Sequence, residues 1–258
     1  MRKIKYIIKI IRNIILPSKD RNFENIILFS KLIMPEYRLM WPQMEWWNDQ
    51  FFNDYLLKFQ EIDGLNTHRK WTLWQLLRLV ENVKGDTAEC GVFKAASSWL
   101  ICCHNQKNSS DKIHHMFDSF EGLSLPNDID EQHWKKGDLA VPENIVIKNL
   151  KEFSEKITIN KGWIPEKFSD YEERIFSFVH IDVDLYQPTK DSINFFYDRM
   201  SPGGIILCDD YGFTSCPGAT KSIDEFLNDK PEKMISLADG GGFMIKGVQT
   251  SPLKMEGC

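Results

Sequence analysis

The chain has 258 residues, 42% of them hydrophobic, which is enough for one sizeable core without requiring a second independent domain. Its 37 acidic and 32 basic residues leave a formal charge of −5, a balance that does not suit a nucleic-acid-binding protein. Six cysteines at 90, 102, 103, 208, 216 and 258 make no C-x-x-C pair and no regular frame, which excludes a zinc site or disulfide scaffold and predicts reduced thiols in a cytoplasmic protein.

The first stretch, "MRKIKYIIKIIRNIILPSKD", is too interrupted by Lys9 and Arg12 to span a bilayer, and no small-residue cleavage site follows it as in a signal peptide. Ile4, Ile8, Ile11 and Ile15 share one helical face while Lys5, Lys9 and Arg12 share another, which predicts a basic amphipathic helix. Packing on its own domain or on a second subunit is the first reading of that helix, consistent with a homo-oligomer. Peripheral contact of residues 1–17 with an acidic membrane surface is the second. Residues 20–80 continue in helical texture, with the aromatic run "LMWPQMEWWNDQFFNDYLLKF" and then "WTLWQLLRLVENV". Residues 1–80 are expected to be a helical segment of the same domain that caps the core or makes oligomer contacts, and 81–258 the core itself.

After Gly85 short apolar runs alternate with helical stretches, which is how βα units of a parallel sheet read. The pattern predicts strands at 87–90, 113–117, 156–160, 175–182, 204–208, 233–237 and 242–246, with helices at 96–103, 143–153, 188–199 and 219–228. The link "ADGGG" is too short for a helical crossover, so the last two strands should form an antiparallel hairpin. The expected fold is α/β: a doubly wound, seven-stranded, mostly parallel sheet with an antiparallel last strand, plus N-terminal helices.

In such sheets ligands bind beyond the carboxyl ends of the strands, and five segments place polar residues there. In "TAECGVFKAASSW" a strand runs into Gly91 and a helix begins near Ser97, so backbone N–H groups can face a ligand, while Glu89 at a buried strand end needs a partner. In "HHMFDSFEG" Asp118 is placed to receive ribose hydroxyls, although it also fits a residue that simply starts a turn. In "NKGWIPEKF" Gly162 and Trp163 could border a flat base.

The fourth segment is "HIDVDLYQPTK", where period 2 puts His180, Asp182 and Asp184 on one face of a strand. The fifth, "GGIILCDDYG", ends in Asp209 and Asp210. Four carboxylates at neighbouring strand ends would repel one another in a low-dielectric crevice unless a cation sat among them. All-oxygen coordination favours a hard ion, Mg²⁺ before Mn²⁺ or Ca²⁺.

Taken in order, "GDTAECGVF", "FDSFEGL", "GDLAVPENIVIKNL", "NKGWIPEKF", "HIDVDLYQPT" and "SPGGIILCDDYG" resemble the macrocin O-methyltransferase type of class I S-adenosylmethionine-dependent sugar O-methyltransferases. The resemblance covers about residues 65 to 245. It implies a Rossmann-like fold, S-adenosylmethionine and Mg²⁺ as cofactors, and a sugar-bearing small molecule or glycan as acceptor. By the same resemblance Asp182, Asp209 and Asp210 are the magnesium ligands, and Asp184 is the general base unless it is itself a ligand. Glu89, Gly91, Asp118 and Ser119 belong to the S-adenosylmethionine site, with Gly162, Trp163 and Asp182 beside it, and the region around 122–142 is the lid. Ala95 and Ala96 depart from the pattern, because family members often carry further glycines in that loop.

The rival enzyme reading takes "DVD" as the D-x-D motif of a metal-dependent glycosyltransferase holding a nucleotide sugar. It leaves the second carboxylate pair and the "AECG" turn unexplained. A metal-stabilised binding module is the third reading.

Overall fold

The computed structural model describes residues 2–33, 44–61, 66–107 and 111–252. Part of the aromatic run at 39–59, including Trp41, lies outside those residues, as does Cys258. The chain divides into two compact units, Met1–Lys58 and Phe59–Cys258.

In the first unit, helix α1 (Arg2–Ile15) and helix α2 (Lys19–Ile33) form a pair, with Ser18 capping α2 by accepting from the Arg21 N–H at 3.2 Å. Asn13 Nδ2 donates to Glu24 Oε2 at 2.8 Å and Lys9 pairs with the same carboxylate, tying the two helices together. A short 3₁₀ turn at Glu45–Asn48 leads into helix α3 (Gln50–Phe59), where Trp46 meets Phe52 edge to face at 5.8 Å.

The second unit opens with helix α4 (Thr67–Leu79), which the sequence pattern had grouped with the amino-terminal segment. Then follow strand β1 (Asp86–Cys90), helix α5 (Ala96–Lys107), strand β2 (His114–Asp118), helix α6 (Glu143–Asn149), strand β3 (Ile157–Lys161) and strand β4 (Phe176–Ile181). Helix α7 (Tyr186–Tyr197), strand β5 (Met200–Cys208), helix α8 (Pro217–Leu227) and strands β6 (Ile235–Ser236) and β7 (Gly242–Ile245) complete it. The sheet order is β3-β2-β1-β4-β5-β7-β6, parallel from β3 to β5, with β7 antiparallel to both β5 and β6.

All six residues of β4 are buried, as the central strand of a sheet covered on both faces requires. Ala88, Val179, Ile206 and Met244 from four adjacent strands share one core with Ile193 and Phe196 of α7 and Ile223 of α8. Several boundaries differ from the sequence reading, two of them at prolines. Strand β5 starts at Met200, through Pro202 and Gly203, because a register shift against β4 absorbs both residues. Helix α7 starts at Tyr186, so Pro188 falls in its first turn, where a missing N–H costs nothing.

The strand order reverses between β1 and β4, and this switch point is where an open α/β sheet makes a crevice. The two strand ends meet closely there. Asp182 N donates to Cys90 O at 2.8 Å and Gly91 N donates to Phe117 O at 3.0 Å. A Cβ on Gly91 (φ +81°) would lie 1.8 Å from Asp182 O, so no other residue fits this joint without moving a strand.

Candidate active site at the carboxyl ends of β1, β4 and β5

The loop from β1 to α5 turns three times into positive φ within five residues, at Gly91, Phe93 and Ala95. Ala95 takes φ +65° without being glycine, and its carbonyl accepts from Trp99 N at 3.0 Å, opening α5. The loop therefore keeps the path that a further glycine would ease, at a cost of roughly 1–2 kcal/mol for a left-handed alanine. Asp118 braces the loop: its Oδ2 accepts from Val92 N at 2.7 Å and Phe93 N at 3.3 Å, and its Oδ1 accepts from Phe120 N at 2.7 Å. The turn role of Asp118 is thus realised, with both carboxylate oxygens taking backbone N–H groups. Ser119 Oγ accepts from Glu121 N at 3.1 Å, tightening the same turn. Gly162, half-buried like Trp163, hangs on the end of β2 by donating to Asp118 O at 3.0 Å.

Glu89 departs from expectation. It is 1% exposed, and its partners come from inside the protein: His180 Nδ1 at 2.8 Å and the Ser98 hydroxyl, with His114 Nε2 at 3.6 Å. Burial alone would raise its pKa, but His114 and His180 together hold it at about 2. The carboxylate therefore serves as a buried anchor for His180.

The expected alternation of His180, Asp182 and Asp184 also fails. Strand β4 ends at Ile181, and Asp184 sits at φ +58°, so the chain turns before period 2 can align the three side chains. Two clusters result, each with ligand atoms within 4.8 Å of one another: His180, Asp182 and Asp209 in one, and Asp184, Asp210 and Cys216 in the other. Of the expected ligand triad, Asp182 and Asp209 fall in the first cluster and Asp210 in the second. A histidine and a thiol stand beside what the sequence suggested would be oxygen alone.

The first cluster is dominated by cations. His180 bridges Glu89 and, at 3.5 Å, Asp209 Oδ1. Burial would lower its pKa, yet the two carboxylates hold it at about 10, so both ring nitrogens donate and the ring is an imidazolium. Arg69 of α4 donates to the Asp209 carboxylate and lies 5.1 Å from the Phe213 ring. Asp209 is accordingly pulled well below the usual carboxylate range: burial opposes this, and Arg69, His180 and Lys70 outweigh it. Lys70, buried, donates to Ser97 Oγ at 2.6 Å and feels Asp209 and Asp182 through space. Asp182, by contrast, is raised to about 6 by burial and by the charge of Asp209.

The second cluster has no cation of its own. Asp210 Oδ2 accepts from Asp184 N at 2.8 Å, and Cys216 Sγ lies 3.6 Å from Asp184 Oδ1 as donor. Burial and then Asp182 push Asp184 up to about 7, and burial and then Asp184 push Asp210 well above its ordinary value. Three of the four carboxylates are thus held toward the protonated state, first by burial and then by neighbouring acids. A divalent cation would relieve that repulsion, and the carboxylate oxygens that both clusters offer fit a hard ion.

Segment 122–142, expected as a lid, is fastened at two points next to these residues. Asp130 Oδ1 accepts from Tyr186 N at 2.6 Å, filling the amino terminus of α7, and Trp134 Nε1 donates to Cys216 Sγ at 3.4 Å. Arg69, Lys70, His114 and Cys216 were not singled out from the sequence as site residues. Nothing local marks them: Arg69 and Lys70 occupy the first turn of α4, and only tertiary packing brings that helix to the end of β5.

The model of the Macrocin-O-methyltransferase (TylF) family matches residues 73–238. Over 152 residues the chain is 27% identical to an "8-demethyl-8-(2,3-dimethoxy-alpha-L-rhamnosyl)-tetracenomycin-C 4'-O-methyltransferase" from Streptomyces olivaceus, covering 55% of this chain and 58% of that protein. Over 162 residues it is 26% identical to a "Demethyldecarbamoylnovobiocin O-methyltransferase" from Streptomyces niveus, covering 56% and 59%. The matched stretch therefore spans somewhat over half the length of these curated relatives. Among solved structures, a calicheamicin methyltransferase superposes with TM-score 0.64 at 18% identity, covering 90% of this chain and 94% of that one. The O-methyltransferase NovP superposes with TM-score 0.57 at 24% identity, covering 69% and 79%. These likenesses carry the fold, and the family match carries the motifs; with the glycine-tight switch point and the carboxylates at the ends of β4 and β5, the chain belongs to the macrocin O-methyltransferase (TylF) family.

Proposed function

We propose that the protein transfers a methyl group from S-adenosylmethionine to a hydroxyl of a sugar, with Mg²⁺ held among Asp182, Asp209 and Asp210. The observation that carries this reading is the pair of acidic clusters at the switch point, where burial and neighbouring acids push three carboxylates toward protonation. The names of the two curated relatives, one of them a rhamnosyl-bearing tetracenomycin 4'-O-methyltransferase, support a glycosylated natural product as acceptor, with a nucleotide sugar or a surface glycan as the alternatives to test. The D-x-D glycosyltransferase reading gains no support from either the family match or the relatives.

A sugar hydroxyl is a poor nucleophile at neutral pH, so its proton has to be taken as the new bond forms. A bound Mg²⁺ would supply Lewis-acid polarisation of that hydroxyl. Asp184 is the residue we assign to the proton. Its backbone is turned out of the strand, its N–H is held by Asp210, and Cys216 occupies Oδ1, which leaves Oδ2 for the acceptor. The loop at 91–95, Asp118 and Ser119, together with Gly162 and Trp163, form the side of the crevice assigned to S-adenosylmethionine. The methyl group passes from sulfonium to oxygen, neutralising charge, so positioning counts for more than stabilisation of a developing charge. Glu89 holds His180, and His180 and Arg69 hold Asp209.

The test is mass spectrometry of a panel of nucleotide sugars and glycosides incubated with S-adenosylmethionine and Mg²⁺. Gain of one methyl group on a sugar, lost on adding EDTA, is the expected result. Calorimetric binding of UDP with no binding of S-adenosylhomocysteine would restore the glycosyltransferase reading.

A further inference from the structure

Helix α1 carries an apolar face that its partner helix does not cover. Ile4, Ile7, Ile8, Ile11, Ile14 and Ile15 are all exposed, from 47% to 70%, although isoleucine is among the residues most often buried. At about 100° per residue these six fall within an arc of about 120°, a continuous stripe along the helix. The side that faces α2 is a different one, marked by the buried Ile10 and Asn13. Helix α2 adds exposed Ile26, Phe29 and Ile33 at helical spacing.

Charge is segregated on the same helix. Residues 1–16 hold Arg2, Lys3, Lys5, Lys9 and Arg12 and no acid, so the chain's −5 is +5 on this segment and −10 on all the rest. Lys3 borders one edge of the isoleucine stripe and Lys5 and Arg12 the other, all three exposed. Among the described residues no helix is long and apolar enough to cross a membrane. A second copy of this stripe would bring like charge against like charge. An anionic lipid surface matches both features, the apolar arc entering the acyl boundary and the flanking cations meeting the headgroups.

We propose that α1 is a peripheral membrane anchor, lying in the plane of an anionic bilayer with the Ile4–Ile15 stripe inserted. Full-length protein is sedimented with vesicles of phosphatidylcholine alone and of phosphatidylcholine with phosphatidylglycerol. Binding to the anionic vesicles is expected to be at least about tenfold stronger and to weaken with salt. Ile8→Glu with Ile11→Glu, at positions the fold leaves exposed, is expected to cut binding about tenfold with the circular dichroism and melting point unchanged. A second variant, Lys3→Glu with Lys5→Glu, keeps the stripe and is expected to lose the preference for anionic lipid. Equal binding to both vesicle types, no binding, or unaltered binding by the isoleucine variant would overturn the proposal. So would light scattering that shows a dimer which the isoleucine variant splits while wild type ignores vesicles. No readout here involves methyl transfer, so the result is independent of the activity proposed above.

Discussion

Arg69 and Asp209 are 140 positions apart in the chain and form a partly buried ion pair at the end of β5, the guanidinium donating to the carboxylate. The pair places a fixed cation beside the residues assigned to Mg²⁺. Removing it leaves Asp209 with only His180 and Lys70 against the repulsion of the other acids. Arg69→Met is therefore expected to lower stability by about 3 kcal/mol in the presence of EDTA, the cost of breaking such a pair from one side. Added Mg²⁺ should raise the melting temperature of the variant more than that of wild type, because ligand binding to the native state alone is stabilising. Equal Mg²⁺ shifts in scanning calorimetry would separate Arg69 from the ion.

Cys216 connects the segment at 122–142 to the proposed base, accepting from Trp134 and donating to Asp184. Cys216→Ala removes the bridge without adding bulk. The expected effect is a fall in kcat of about tenfold, the scale for a misplaced reacting group, with KM for S-adenosylmethionine unchanged. Steady-state kinetics in both substrates checks this, and a rise in KM alone would assign the thiol to binding.

Glu89 gives the pH prediction. Its pKa falls from 4.5 unfolded to about 2 folded, through His114 and His180 and against burial. A depressed carboxylate contributes stability that is fully present above the unfolded value and is lost as pH falls through the folded one. The window is therefore between 4.5 and about 2, and the contribution is on the order of 3 kcal/mol. Glu89→Gln should lower stability at neutral pH and flatten its dependence across that window in denaturant titrations. Parallel wild-type and variant curves would contradict the assignment.

Two glycines with similar backbone angles should respond differently to alanine. Gly91 (φ +81°) would press its Cβ to 1.8 Å from Asp182 O, whereas Gly137 (φ +87°) has nothing within 4 Å. Gly137→Ala is expected to cost about 1 kcal/mol, the left-handed penalty alone. Gly91→Ala must part β1 from β4 and is expected to cost more than about 3 kcal/mol or to prevent folding. Thermal melts and soluble yield distinguish them.

The sheet was legible in the sequence because its signals are local. Apolar runs of four to six residues ending at Cys90, Asp118 and Cys208 mark the ends of β1, β2 and β5 closely. The antiparallel hairpin of β6 and β7 follows from the length of one loop. The strand-end carboxylates were legible for the same reason. What the sequence hid is non-local or rests on a single dihedral angle. The positive φ of Asp184 undoes the alternation that "DVD" suggests, and no neighbouring residue announces it. The partners of Glu89 are not legible beside it, because His180, Ser98 and His114 come from other elements. Arg69 and Lys70 reach the site only through the packing of α4.

The most direct test of the central claim is turnover and cofactor affinity measured together for Asp184→Asn and Asp182→Ala. If Asp184 takes the proton and Asp182 holds the ion, Asp184→Asn loses at least about 100-fold in kcat while S-adenosylhomocysteine binding and the Mg²⁺ response of the melting temperature persist. Asp182→Ala then loses turnover and the Mg²⁺ response together. Methyl transfer by Asp184→Asn at a rate near that of wild type would contradict the account.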